Sequence, residues 1–268
     1  YSVSSQVDWC PLVTTSRGIE GKAVMAQVQK WLSINLLNNT VRTLRHLAHL
    51  SADEGGQPLP KVRYRAKVKL HGTNCGIQVR ADGIVTQSRE SILTPTSDLK
   101  GFSKWAHQHE ALFRRLPAGF TVFGEWCGPG VEAGMAVSQL SGKLYAVFAL
   151  LVGSAETGVV ISDPGEIASY FAGLDIPGLY ILPWTGDAFW IDFADEASLA
   201  TAADQLNEMV EAVEQEDPWV KATFDVSGVG EGIVLYPTSG SAVAEMGRLM
   251  FKAKGEKHRT VGIKQAVQ

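Results

Sequence analysis

The sequence predicts an α+β fold, with antiparallel sheets flanked by helices. Strand-like runs at 62–69, 75–79 and 84–86 follow one another, and Ala81-Asp82-Gly83 is a turn between the last two. Helical spacing of apolar residues recurs at 98–116 and 197–215. A length of 268 residues with 45% hydrophobic content supports one large domain, or one plus a small appendage.

Taken in order, residues 1–18 are irregular. Residues 19–50 carry Val28, Trp31, Leu32, Leu36, Val41, Leu44, Leu47 and Leu50 at roughly helical spacing, which predicts one or two amphipathic helices broken near Asn38-Asn39. Two glycines and two prolines make 51–60 a loop. The expected organisation is an N-terminal helical appendage, 1–58, packed on or beside a main domain, 59–268. Only 255–268 follow Lys254, so no sizeable C-terminal domain is expected. Within the main domain, 98–116 is a helix with Phe102, Trp105, Leu112, Phe113 and Leu116 inward, and its His107 and His109 read as structural. A strand at 120–126 ends in the turn Gly128-Pro129-Gly130, and 143–150 is an apolar strand. Asp163 or Ser162 caps a short helix opened by Pro164. Strands follow at 179–182 and 189–191, a helix with an acidic outer face at 197–215, and the last strands at 231–236 and 248–254.

The net charge of −4 is not that of a surface built as a whole to attract nucleic acid. Its distribution is uneven. Lys61, Arg63, Arg65, Lys67 and Lys69 alternate along one strand, and Arg248, Lys252, Lys254, Lys257, His258 and Arg259 cluster late in the chain. One basic groove on an acidic body is the pattern expected where a polyanion docks at one place. Cys10, Cys75 and Cys127 are widely spaced and odd in number, which argues against a disulfide framework or zinc site and for a reducing, cytoplasmic setting. The Asn38-Asn39-Thr40 sequon is then coincidental. No apolar run reaches the length of a membrane span, no signal peptide is evident, and no membrane partner is expected.

Four short segments carry chemistry. Lys69-Leu70-His71-Gly72-Thr73-Asn74 sets a lysine, an imidazole, a glycine and an amide where a strand ends and the chain turns. Phe123-Gly124-Glu125-Trp126 closes an apolar strand, and Glu231 heads another. Phe251-Lys252-Ala253-Lys254 sends two lysines from the same face of a strand. Together, in this order, they resemble the covalent nucleotidyltransferases, the polynucleotide ligases and mRNA-capping enzymes. His71 and the run Phe-Gly-Glu-Trp-Cys-Gly-Pro-Gly from Phe123 are most similar to the RNA ligase 2 branch of phage RNA-repair and kinetoplastid RNA-editing ligases. DNA ligases and capping enzymes usually carry Asp where this chain has His71. The resemblance covers roughly residues 60–257. Two positions depart from it: Ser88 stands where a lysine often precedes the arginine, and Ala149 where an acid is common.

The resemblance implies a nucleotidyltransferase domain, ATP-grasp-like, acting as an ATP-dependent RNA ligase. Lys69 would attack the α-phosphorus of ATP and carry AMP as a phosphoramidate. A lysine amine, with a pKa of roughly 10.4, is mostly protonated at neutral pH, and nearby cations or desolvation favour its neutral form. Lys252 and Lys254 would supply those cations and hold the α-phosphate. Glu231 would hold Mg²⁺ or Mn²⁺, directly or through water. His71, Gly72, Asn74 and Arg89 would line the nucleotide or RNA end, with Gly72 leaving room for the nucleotide, and Glu125 would meet the ribose hydroxyls. An aromatic ring from 143–150 would stack on the purine, Tyr145 preferred and Phe148 second. Spacing alone leaves Lys67, on the same strand face, as another possible nucleophile. The RNA would bring a 5′-phosphate and a 3′-hydroxyl, gripped by residues 1–58, by this domain alone or by a protein partner. The rivals are a small DNA ligase, a GTP-using capping-type enzyme, and a non-catalytic RNA-binding protein that retains the fold.

Overall fold

The computed structural model describes residues 26–50, 58–238 and 240–255. Residues 1–18, Cys10, Lys257, His258 and Arg259, read above from sequence, lie outside them. The chain begins with strand β1 (Asn35–Leu36) and helix α1 (Leu37–Leu50), then β2 (Lys61–Val68), β3 (Thr73–Arg80), β4 (Gly83–Ser88) and β5 (Ile92–Leu93). Helices α2 (Phe102–Gln108) and α3 (Glu110–Phe113) lead to β6 (Phe120–Cys127), β7 (Leu144–Val152), β8 (Val159–Ile161) and α4 (Pro164–Tyr170). Strands β9 (Leu179–Ile181) and β10 (Thr185–Asp192), helices α5 (Glu196–Gln215) and α6 (Pro218–Phe224), strand β11 (Gly232–Pro237), helix α7 (Val243–Leu249) and strand β12 (Phe251–Lys254) complete it.

Two mostly antiparallel sheets result. One has five strands in the order β1-β12-β11-β2-β10; the other runs β5-β4-β3-β6-β7-β8, with β9 paired to β7. Alternation in β2 explains its two faces. Val62, Tyr64, Ala66 and Val68 are buried in the core that also holds Leu206 and Val210 of α5. The Tyr64 hydroxyl donates to the Leu249 carbonyl at 2.9 Å, tying that face to the end of α7. On the second sheet, Ile77, Val122, Tyr145 and Leu150 share a separate core with Phe102 and Phe113 of α2 and α3 and Ile167 of α4. The sheets therefore lie between two helical layers, and the opposite faces of β2 and β7 meet across the cleft.

Three expectations need correction. Asn38 and Asn39 do not break a helix; they lie in the first turn of α1. The apolar residues before them are not helical: residues 26–34 form no regular secondary structure, and β1 pairs in parallel with β12. Trp31 and Leu37 belong to the main core, so the described part of 1–58 is built into the domain rather than appended to it. The stretch 98–116 holds two helices with a break at His109. Asp163 caps α4 as expected, accepting from the Gly165 and Glu166 amides. Cys75 and Cys127 are free and buried. Among the described residues no helix is long and apolar enough to cross a membrane.

Lys67 departs from the expected basic groove. Its side chain is wholly buried between the sheets, and its amine donates to the Phe148 carbonyl at 2.8 Å. The Trp184 and Tyr236 rings lie 4.7 and 5.4 Å from that nitrogen. Burial lowers its pKa from 10.5 to about 7, against the pull of Asp163. The folded value lies below the unfolded one, so between about pH 7 and 10.5 the unfolded chain binds the extra proton and stability rises with pH. Lys67→Met removes that titration. In urea melts the wild type should gain on this variant by up to ~1.4 kcal/mol per pH unit across the window; a pH-independent difference would contradict the burial.

Candidate active site

The end of β2 is fixed by its neighbour: the Lys69 amide donates to the Gly232 carbonyl at 2.8 Å, next to the Val68–Ile233 pairing. Strand β11 is joined on its other side by β12, with Gly232 opposite Lys254 and Val234 opposite Lys252. Glu231, one residue before β11, thus stands between two lysine-bearing chains. Its carboxylate is nearly sealed, with 4% of the side chain exposed. The Lys69 amine donates to Oε2 at 2.7 Å, the Lys254 amine donates to Oε1, and Nδ1 of His71 lies 3.5 Å from Oε2. Burial presses the Glu231 carboxyl upward, but Lys69 and Lys254 outweigh it and hold its pKa below the ordinary glutamate value.

Glu125 comes from the other sheet, opposite Asn74. Desolvation pushes its carboxyl from 4.5 up to about 7, against the attraction of Lys69 and the bond from the Gly72 amide. The Glu231 charge acts in the same direction as desolvation. Lys252 is pushed down from the ordinary lysine value by burial and by Lys254, Lys69 and Arg89. Two sheets thus deliver two carboxylates and three amines to one place. The Lys69 nitrogen is tied to Glu231 here, and a nucleophilic role would require it to leave that carboxylate first.

A cavity of about 510 Å³ opens beside this cluster, with neither Glu231 nor His71 among its lining residues. Lys69, Gly72, Asn74, Arg89, Glu125, Lys252 and Lys254 all line it. The Arg89 guanidinium also donates to the Ser33 hydroxyl at 3.3 Å. Gly72 has a reason beyond ligand space: a Cβ there would sit 2.4 Å from the Trp126 carbonyl oxygen and 2.8 Å from Cys127 Cβ. Its missing side chain lets the turn close onto β6.

Tyr145 is not at the cavity. Its ring is fully buried in the second core, and its hydroxyl donates to the carbonyls of Cys75 and Val122. Phe148 lines the cavity instead. Alternation explains the swap: positions 145 and 148 face opposite sides of β7, and the register shift beside Phe123 lies at Phe148. The spacing of two aromatics could not say which face met the cleft. Lys67 does not line the cavity, and its amine is committed to Phe148.

Sequence reasoning missed the segment Trp31-Leu32-Ser33-Ile34, which lines one side of the cavity. The Trp31 ring lies 5.0 Å from Phe123 and 5.1 Å from Phe148. Gln29 exchanges two hydrogen bonds with the Gln87 amide, holding this segment against the second sheet. Its apolar residues mimic helical spacing, so periodicity pointed the wrong way. Leu182, Val234 and Tyr236 are further lining residues that carried no signal.

Among the described residues no cluster of three or more His, Cys, Asp or Glu side chains is placed to hold a metal. Glu231 offers the hard oxygen a divalent cation needs, but both its oxygens already accept from ammonium groups. A cation fits at this carboxylate only once one amine has left it.

The model of the RNA ligase family matches residues 62–254. No curated protein matches the chain. Among solved structures, the Naegleria gruberi RNA ligase with PPi is 15% identical, with a TM-score of 0.54 over 86% of this chain and 57% of that one. A lysine mutant of the same enzyme with ATP and Mn gives 15% and 0.54 over 87% and 56%, and another with AMP and Mn gives 14% and 0.53 over 89% and 58%. At such identities the likeness is one of fold, and this chain spans little more than half the length of those enzymes. With most of its length matched by the family model, the chain belongs to the RNA ligase family.

Proposed function

We propose that this chain is an ATP-dependent RNA ligase that works through a covalent lysyl-AMP. The observation that carries the reading is the sharing of one buried carboxylate, Glu231, by Lys69 and Lys254 at the edge of a nucleotide-sized cavity. A structural ion pair has no need of a third amine, Lys252, and an arginine, Arg89, on the same cavity.

In the first step the Lys69 amine, free of Glu231 and having lost its proton, bonds to the α-phosphorus of ATP. The bond from that phosphorus to the β-phosphate oxygen breaks and pyrophosphate leaves. Lys252 and Lys254 stabilise the charge that develops on the phosphates. Phe148 and Val234 offer apolar surface to the base, and Glu125, also on the cavity wall, would meet the ribose. Glu231, once one amine has left it, would hold a divalent cation, Mg²⁺ or Mn²⁺, which would supply charge neutralisation on the phosphates. In the second step an oxygen of an RNA 5′-phosphate attacks the AMP phosphorus and Lys69 leaves. In the third, a 3′-hydroxyl attacks the activated 5′-phosphate, a phosphodiester forms, and AMP departs. The resemblance of His71-Gly72-Thr73-Asn74 to the RNA ligase 2 branch supports adenine as the base and RNA as the strand. Grip on the RNA beyond the reacting ends comes from elements outside the cavity or from a partner.

The experiment is intact mass after incubation with Mg²⁺ and either ATP or GTP. One added AMP is expected; an adduct with GTP alone would indicate a capping-type enzyme, and no adduct with either would indicate a binding protein. Lys69→Ala should abolish the adduct, and Glu231→Ala or Lys252→Ala should slow it about 100-fold or more. Phe148→Ala should raise the KM for ATP with a smaller effect on kcat, whereas Tyr145→Phe should cost ~1 kcal/mol of stability and leave that KM unchanged. Glu125 tests the electrostatics. Its folded pKa exceeds its unfolded value, so between 4.5 and about 7 the folded chain binds the extra proton and wild-type stability falls as pH rises. Melting temperatures should therefore show Glu125→Gln gaining on wild type from pH 5 to pH 8.

A further inference from the structure

The basic row on β2 does not end at the nucleotide cavity. Residues at every second position leave one face of a strand, so Lys69, Lys67, Arg65 and Arg63 form a line. Lys69 lies in the first cavity and Lys67 in the wall beyond it. Arg65 and Arg63 line a second cavity of about 550 Å³, with Trp184, Ser162 and Ser241.

This second cavity is unusual in what it leaves unbonded. The Arg65 guanidinium lies 5.1 Å from the centre of the Trp184 ring, which holds it in place. Its Nε is buried and has no hydrogen-bond partner. Among the described residues neither the Arg63 nor the Arg65 guanidinium has a carboxylate or hydrogen-bond partner. A buried donor left unpaired costs about 1–3 kcal/mol, and more when charged, so native structures almost always supply an acceptor. The acids lining the cavity do not supply it. Asp163 spends Oδ1 on the Gly165 and Glu166 amides and Oδ2 on the Trp184 indole at 3.1 Å. Glu166 and Asp187 are exposed.

We propose that this cavity is a second binding site, for a phosphate group carried on a small body rich in hydroxyl or amino donors. The two guanidiniums and the Ser162 and Ser241 hydroxyls would donate to the phosphate oxygens. Glu166 and Asp187 would accept from the body. Those same acids repel an extended polyanion, so the fit is to a compact phosphate: a free nucleotide, or the 5′-phosphorylated end of a short RNA. The site stands apart from the ligase reading, since a wild type that forms no adduct would sink that reading and leave this one intact.

Calorimetric titration of the full chain with pyrophosphate, and separately with AMP, tests it. Wild type should show two classes of site. Arg63→Ala, a surface change, should weaken one class about tenfold, and Arg63→Ala with Arg65→Gln should remove it. Lys252→Ala should weaken the other class. Arg63→Ala should leave adduct formation with ATP unchanged. Displacement of bound pyrophosphate from the Arg63-dependent class by a 5′-phosphorylated tetraribonucleotide, but not by its 5′-hydroxyl form, would identify an RNA end as the source. Displacement by AMP alone would identify a free nucleotide. A single class in wild type, or two classes that survive in the double variant, would overturn the proposal.

Discussion

One buried carboxylate organises this molecule. Glu231 has almost no access to water, and the two ammonium groups on its oxygens outweigh that burial and hold its pKa below the ordinary glutamate value. Removing one partner of a buried ion pair typically costs about 3–5 kcal/mol, because the remaining charge is stranded. The pairing also has a positional consequence. Lys69 follows β2, Glu231 precedes β11 and Lys254 ends β12, so the three meet only if all three strands are in register. A slip of one residue would turn Lys252 and Lys254 into the apolar core and Phe251 and Ala253 into the cleft.

The second constraint is the cleft between the sheets. Each sheet buries one face under helices and keeps the other for its counterpart, and the polar chemistry is confined to that shared space. Lys67 shows how strictly the space is partitioned. Two residues from Lys69 and on the same face, it spends its amine on the Phe148 carbonyl and lies against two rings. One strand face therefore holds an amine on the cavity wall and one sealed between the sheets, distinguished by what surrounds each.

Much of this was legible in the chain. Lys69, Glu231, Lys252 and Lys254 could be placed together because β-alternation and strand ends are short-range properties, and the resemblance joined the segments. Glu125 and Arg89 were placed the same way. What could not be read was set by the far side of a contact. The choice between Tyr145 and Phe148 depends on which face of β7 meets the cleft, and the register shift beside Phe123 complicates even the local pattern. Trp31 to Ile34 resembled part of a helix because four apolar-rich residues fit that period by chance; the Gln29–Gln87 bonds that hold the segment in place join residues 58 apart. The role of Gly72 was half visible: a glycine was read as room for a ligand, while its neighbours show room for a strand.

The pairing of β1 with β12 joins Asn35 to Phe251 and Leu36 to Lys252. Strands that are neighbours in the sheet are therefore made more than two hundred residues apart. A nascent chain can assemble the strands of the second sheet, all of them between residues 73 and 181, before β12 exists. Trp31 finds Phe123 and Phe148 well before that, but the pairing of β1 with β12 is a late, high-contact-order event. Throughout the making of the residues between 36 and 252, the short first strand has no partner along the edge that β12 later fills.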